Sequence, residues 1–263
     1  MQRLRKLLRR RSVRRSEGVF VVEGVKLLGG ALAAGAPVEA VFVGAGGRAD
    51  PELLATLEAA LGAGARVFDL GPGVLERVAD TVTPQPVLAV VAIPDASLED
   101  LPPDPFVVVC AEVRDPGNAG AVIRVADAAG ADAVVCAAGT VDPFNPKTVR
   151  ASAGSVLHLP VVVAEGAAAD VLGDLGRRGL RRVAAATRGG TPYTDAPLVP
   201  PLALVLGNEA HGVPAPLAAV LDAAVTIPLG GGAESLNVSS AAAVLCFEVA
   251  RRRSNLHAMG GAR

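Results

Sequence analysis

The sequence predicts an α/β chain of two domains, the second built on a parallel sheet. Three observations carry that expectation. Apolar runs of strand length alternate with segments of helical length between residues 18 and 226, the signature of strand–helix–strand units. The stretch 93–105 is polar and holds four prolines, the composition of an interdomain linker. The later strands run straight into turns rich in glycine, proline and asparagine, and open α/β sheets bind ligands at such carboxyl ends. With 263 residues and 51% hydrophobic content the chain has material for more than one core, and disorder is excluded.

The chain opens on charge. Residues 1–15 contain eight Lys/Arg (Arg3, Arg5, Lys6, Arg9, Arg10, Arg11, Arg14, Arg15) and no acid. The remainder holds 17 basic and 26 acidic residues, so a +8 segment is joined to a −9 body. That asymmetry points to a polyanion partner, and the arginine fork suits phosphate oxygens. A solvated basic helix is the plainer reading. No apolar run follows the charges, which argues against a secretory signal. Aromatics make up only 3%, with no Trp and one Tyr, which argues against gripping single strands mainly by base stacking. Phe20, Phe42 and Phe68 are the only aromatics before the linker, and they fall on expected strands.

In the first domain, strands are expected at 18–23, 38–43, 66–70 and 87–92, with helical segments at 26–34, 51–61 and 74–79. Asp50 reads as an N-cap followed by Pro51 in the first turn. Gly44-Ala45-Gly46-Gly47-Arg48-Ala49 matches the dinucleotide pattern G-x-G-x-x-A, with Asp69 at the end of the next strand. The match is weak, because Asp50 caps the helix after the glycines and its charge would repel a pyrophosphate. A nicotinamide-dependent oxidoreductase is the alternative that this loop would support.

The second domain opens with a strand at 106–112, a turn through Asp115, Pro116 and Gly117, and a helix at 119–129 with Asn118 near its cap. Arg124 follows within two turns; it is either a site residue or a surface arginine. A strand at 133–136 leads to 144–155, where Lys147 and Arg150 share a helical face. Phosphate contact and simple solvation are equally open there. Strands at 161–164, 181–186 and 202–206 and a helix at 167–178 follow. The strand at 202–206 ends in Gly207-Asn208-Glu209-Ala210-His211-Gly212. No Walker lysine is present, so this is not a phosphate-cradling P-loop. Val225-Thr226-Ile227 is a short strand broken by Pro228 and three glycines, before Ser235 and Asn237 start an alanine- and serine-rich helix. This stretch is either a ligand loop or a glycine turn before a core helix. Cys110, Cys136 and Cys246 sit in apolar segments, as reduced thiols of a cytoplasmic protein do. The three histidines show no metal-ligand spacing, so no metal is expected, and no apolar run is long enough for a membrane span.

Three of these loops together resemble the motifs of the TrmH/SpoU branch of the SPOUT methyltransferases. They are Asn118-x5-Arg124, then Gly207-Asn208-Glu209-x-x-Gly212, then Ile227-Pro228-Leu229 followed by Ser235-Leu236-Asn237-Val238-Ser239. The stretch Asn145-Pro146-Lys147-x-x-Arg150 is similar to the family's segment between its first two motifs. The likeness covers residues 106–253. Residues 1–92 more loosely resemble a small RNA-binding domain of the ribosomal-protein L30e type.

The resemblance implies a fold, a reaction and a site. The fold is an α/β SPOUT-type parallel sheet with a C-terminal trefoil knot at 106–263, preceded by the L30e-like domain at 1–92 and the linker at 93–105. The reaction moves a methyl group from S-adenosyl-L-methionine to a ribose 2′-hydroxyl of RNA, ribosomal RNA ahead of transfer RNA. Leu206, Gly207, Asn208, Ile227, Leu229 and Leu236 would bind the cofactor. Arg124, Asn118, Glu209, Ser235 and Asn237 would serve catalysis. The family works as a homodimer with its active site at the subunit interface. A catalytically silent RNA-binding protein of the same fold is the second alternative.

Overall fold

A computed structural model of the chain describes residues 1–79 and 84–260. It divides into two compact units. One is Met1–Asp95 with Phe144–His158; the other is Ala96–Pro143 with Leu159–Arg263.

The first unit begins with helices α1 (Gln2–Arg9) and α2 (Arg11–Glu17). Leu4, Leu7 and Leu8 recur at helical spacing and are buried, while Arg5, Lys6 and Arg9 are exposed. The basic segment is therefore an amphipathic element of the core and not a solvated tail. Its leucines pack with Val21, Leu75, Val78, Leu88 and Val90. Arg14 is itself buried, donating to the carbonyls of Leu7 and Leu8, and Arg3 bridges Glu17 and Glu39. Next come β1 (Val19–Glu23), α3 (Val25–Ala33), β2 (Val38–Val43), α4 (Pro51–Gly62), β3 (Arg66–Asp69) and β4 (Val87–Ala92). The sheet order is β1-β4-β2-β3; β4 runs antiparallel to both neighbours and β3 parallel to β2. Asp50 caps α4, accepting from the Glu52 and Leu53 N–H groups. Asp69, the acid that a dinucleotide fold would aim at a ribose, is paired with Arg48 at 2.7 Å.

The second unit contributes β5 (Phe106–Cys110), α5 (Pro116–Ala128) and β6 (Ala133–Cys136). The chain then supplies the first unit with α6 (Pro146–Ala151), which packs on β1. Phe144 lies against Phe20, and Arg150 pairs with the buried Glu23 at 3.0 Å. Residues 144–158, assigned from sequence to the 106–263 domain, thus pack with the first unit, and Arg150 serves the interior of that unit. The second unit resumes with β7 (Val161–Val163), α7 (Ala168–Arg177), β8 (Arg181–Ala185), β9 (Thr191–Pro192), β10 (Leu202–Leu206), β11 (Ala223–Thr226) and α8 (Val238–Gly260).

These seven strands form one parallel sheet in the order β7-β6-β5-β10-β8-β11-β9. A parallel sheet is covered on both faces, so its central strands read as unbroken apolar runs. Every residue of β5 and β10 is accordingly buried. Val107, Val109, Ala203 and Val205 pack with Leu172 and Leu175 of α7. Helix α8 packs on α5, and Glu248 on α8 clamps Arg251 and Arg252. Register aligns Cys136 with Cys110 and Cys110 with Leu206, while Ala184 pairs with Val205 and Ala224. The carboxyl ends of β5, β8, β10 and β11 therefore reach the same rim.

Candidate active site

The rim is shaped first by the loop after β10. The N–H and C=O of Asn208 exchange hydrogen bonds with those of Gly212, both at 2.8 Å, which closes the loop on itself. A Cβ at Gly207 would overlap the backbone of Gly212 and Val213, so glycine is obligatory for that closure. Asn208 holds the loop from inside. Its Oδ1 accepts from the Ala210 and His211 N–H groups, and its Nδ2 donates to the Glu112 carbonyl at 3.2 Å.

Glu112 belongs to the loop after β5. It has φ of 67°, a left-handed conformation rare for a residue with a side chain. Three contacts maintain it: its N–H donates to Thr140 Oγ1 at 3.2 Å, its carbonyl accepts from Asn208, and its carboxylate holds Arg114 at 2.6 Å. That turn ends the strand at Cys110, two residues earlier than the apolar run suggests. Helix α5 then starts at Pro116, capped by Asp115, which accepts from the Asn118 N–H at 2.9 Å. Asn118 is thus inside the first turn, leaving its side chain free for another task.

That task is to join the three motif loops. Glu209 accepts from the Arg114 and Asp115 N–H groups and, at 3.1 Å, from Asn118 Nδ2. Asn118 Oδ1 accepts from Asn237 Nδ2 at 2.9 Å, and Asn237 Oδ1 accepts from the Ser239 N–H and hydroxyl. The row has one polarity. A carboxylate only accepts, so Asn118 must present its NH₂ to Glu209 and its oxygen to Asn237. Partial desolvation would raise the Glu209 pKa, but its backbone and Asn118 hydrogen bonds outweigh that, and the carboxyl sits below its ordinary value. Asn237 immediately precedes α8 and caps it through Ser239; Ser235 lies further back in the loop and caps nothing.

Beside this row opens a cavity of about 430 Å³. All six residues expected to bind a cofactor line it: Leu206, Gly207, Asn208, Ile227, Leu229 and Leu236. Glu209 and Ser235 line it too. Leu229 and Leu236 are large apolar side chains left 37% and 39% exposed, surface that a ligand would cover. The cavity wall also includes His211, from the glycine-flanked loop after β10, and Thr187, Arg188 and Glu234, which the sequence alone does not single out. Thr187 and Arg188 follow β8, and position at the carboxyl end of a strand was the available signal.

Arg124 is placed differently. It is exposed on α5 and is not among the cavity-lining residues. Six positions on a helix turn it about 120° away from Asn118, so the two do not project together as their short separation suggests. Among the described residues there is no cluster of His, Cys, Asp and Glu able to hold a metal, and no helix long and apolar enough to cross a membrane. The three cysteines are free and buried. Cys246 is pushed up to about 12 by burial, far from thiolate reactivity at neutral pH.

Comparison with known proteins agrees with this geometry. The SpoU rRNA Methylase family model matches residues 105–247, and the MRM3-like substrate binding domain model matches residues 1–89. A Bacillus subtilis 23S rRNA (guanosine(2553)-2′-O)-methyltransferase, RlmP, is 36% identical over 93% of each chain. A Streptomyces viridochromogenes 23S rRNA (uridine(2479)-2′-O)-methyltransferase is 31% identical, over 96% of this chain and 89% of that one. The structure of the SpoU methyltransferase AviRb from Streptomyces viridochromogenes, in complex with AdoMet, superposes with a TM-score of 0.85 at 29% identity. That match covers 97% of this chain and 98% of the other.

Proposed function

The chain belongs to the SpoU rRNA methylase family, and from that premise we propose that it transfers the methyl group of S-adenosylmethionine to a ribose 2′-hydroxyl of ribosomal RNA. The observation that carries the reading is the cavity at the carboxyl ends of the sheet, with three motif loops tied beside it by Glu209, Asn118 and Asn237. The two relatives act on a guanosine and a uridine; what they share is the ribose and not the base.

The residues present fit the cofactor. A cavity of about 430 Å³ is within the usual range of roughly 300–1,000 Å³ for small-molecule sites. Leu206, Ile227, Leu229, Leu236 and Leu245 offer an apolar wall for a purine, and the closed loop 207–212 offers backbone groups. Glu234 and Arg188, on the same wall, match the cationic and carboxylate ends of a methionine moiety. When bound, the cofactor supplies an electrophilic methyl group.

Everything else falls to the chain. Attack along the line of the breaking bond demands fixed geometry, and positioning can supply much of the rate. The row through Asn118 supports this by holding the first and third loops at one spacing. The attacking hydroxyl must lose its proton. Arginine is not a proton acceptor in proteins, so Arg124 is assigned to hold a neighbouring phosphate and favour the developing alkoxide, and the hydroxyl proton leaves to that phosphate or to water. Because Arg124 stands away from the cavity of its own chain, we assign it to a site completed across a homodimer. Phe247, exposed on α8, supports that reading as apolar surface for a second copy to cover. The first unit acts as the RNA-holding part, the second carries the chemistry, and the close approach of Gly190 to the backbone of β11 suits a knotted crossing. The reduced thiols suit a cytoplasmic enzyme.

Calorimetry with S-adenosylhomocysteine and with NAD, and methylation mapping of a 23S rRNA transcript, test the proposal. S-adenosylhomocysteine should bind, NAD should not, and one ribose should gain a methyl group. Arg124→Ala should abolish transfer and leave S-adenosylhomocysteine binding intact. RNA binding without transfer by the wild type would favour the silent alternative.

A further inference from the structure

Helix α1 covers only part of the sheet face on which it lies. Its leucines pack with Val21, Leu88 and Val90 on β1 and β4, and β3 at the sheet edge stays largely exposed. A groove of about 410 Å³ remains between the start of α1 and strands β2 and β3, with Met1, Leu4, Phe42 and Phe68 among its lining residues. Phe42 and Phe68 are stacked, with centroids 5.4 Å apart and planes 17° from parallel. Phe42 is partly buried against the core, whereas Phe68 is 43% exposed. The stack therefore ends in an aromatic ring open to the groove.

The rim of the groove is polar. Glu39 accepts from both Arg3 and Arg66, and Arg48 holds Asp69. Arg66 is the most exposed of these, at 65% for its side chain. Along the outside of α1 run Arg5, Lys6 and Arg9, all exposed, and the helix has no acid. An exposed aromatic ring, a rim of donors and acceptors and exposed cations on the helix that starts at the groove match one ligand chemistry. Unpaired bases stack on aromatic rings through their faces, present donors and acceptors at their edges, and are flanked by phosphates.

We propose that this groove takes an unpaired nucleobase of the substrate RNA, stacked on Phe68, while Arg5, Lys6 and Arg9 hold the flanking phosphates. The inference rests on the RNA-modifying reading above and names where the first unit would grip its substrate. A second copy is the weaker occupant, because an isologous contact here would bring two such cation rows together. Scarce aromatics do not argue against the site: one base needs one exposed ring.

The chain has no tryptophan, so Phe68→Trp places a single indole in the groove. Its fluorescence should be quenched by a 23S rRNA transcript and by poly(A), and not by a fully paired RNA duplex. Equal quenching by the duplex would overturn the proposal, as would a signal change on diluting the protein alone, which would reveal a second copy. Phe68→Leu should weaken binding of the transcript by about 5- to 100-fold. The slope of log affinity against log salt should not change, because no cation is removed. Phe68→Tyr should restore the affinity, and S-adenosylhomocysteine binding should be unaffected throughout. Wild-type RNA affinity in Phe68→Leu would sink the groove while leaving the methyltransferase reading standing. A wild type that neither binds nor methylates the transcript would sink both.

Discussion

Asn118→Asp is the sharpest test of how the three loops are held. The substitution is nearly isosteric and leaves the backbone N–H of residue 118 on Asp115. It replaces the NH₂ group that now donates to Glu209 at 3.1 Å with a carboxylate oxygen. Two charges at that distance repel by about 1.3 kcal/mol at the dielectric of water, the appropriate limit because Glu209 is exposed. Losing the hydrogen bond adds about 1 kcal/mol, so the closed arrangement should weaken by about 2 kcal/mol, roughly 30-fold. Glu209 is already held below its ordinary pKa, so the introduced carboxyl is the group that takes a proton. Repulsion of this size raises it by about one unit, from about 3.9 to about 5. Once protonated, it again donates to Glu209. The penalty should be complete at pH 8 and should fade as pH falls towards 5. The assay is methyl transfer to a 23S rRNA transcript, expressed as the ratio of variant to wild type at each pH. Asn118→Ala serves as control, since it loses both side-chain bonds without adding a charge and should show a flat ratio. A flat ratio for Asn118→Asp would refute the one-way hydrogen-bonded row.

The remaining predictions concern the structure around the site. Leu7, fully buried on α1, should cost about 2–5 kcal/mol when changed to Ala, read as a fall in the unfolding midpoint. Arg9→Ala should change stability by less than about 0.5 kcal/mol while flattening the salt dependence of RNA binding. Deleting residues 1–15 would therefore report on folding as well as on charge. Gly207→Ala should abolish S-adenosylhomocysteine binding in calorimetry, because its methyl group forces the Gly212–Val213 backbone out of the closed loop. Glu248 is held at about 2, chiefly by its hydrogen bond from Arg251, with Arg252 adding to it. A depressed carboxyl stabilises the fold above its unfolded pKa and loses that contribution as pH falls through the folded value. Glu248→Gln should thus cost about 2 kcal/mol at pH 7, and the gap to wild type in urea unfolding should narrow steadily below about pH 4.5.

Much of the architecture was legible because it is written in local patterns. Strands at 38–43, 87–92, 133–136 and 202–206 match the observed β2, β4, β6 and β10 residue for residue, since each is a short apolar run bounded by turn residues. Asp50 was readable as a cap because Pro51 follows it. The basic opening was read by its charge, and charge concealed the leucines at helical spacing between the arginines. For Arg150 the sequence leaves phosphate contact and solvation equally open; only the fold brings it to Glu23, 127 positions earlier. Glu234 carries no local signal that separates a cavity wall from an ordinary surface loop.

The α/β class, the residues of the three motif loops and the glycine at which the loop after β10 begins are readable from the sequence alone. These depend on residue type and near neighbours: glycine where a Cβ cannot fit, asparagine where a turn needs an internal bond, unbroken apolar runs where both faces are covered. Glu209, Asn118 and Asn237 form one row only in the assembled fold, since 91 and 119 residues separate its bonded pairs. The same assembly places 144–158 with the first unit, sets Arg124 apart from the cavity, and leaves Phe68 exposed beside Phe42. The physical reason is the same each time. A long-range contact is fixed by strand order and register, and side chains distant in sequence meet only after the whole sheet has assembled.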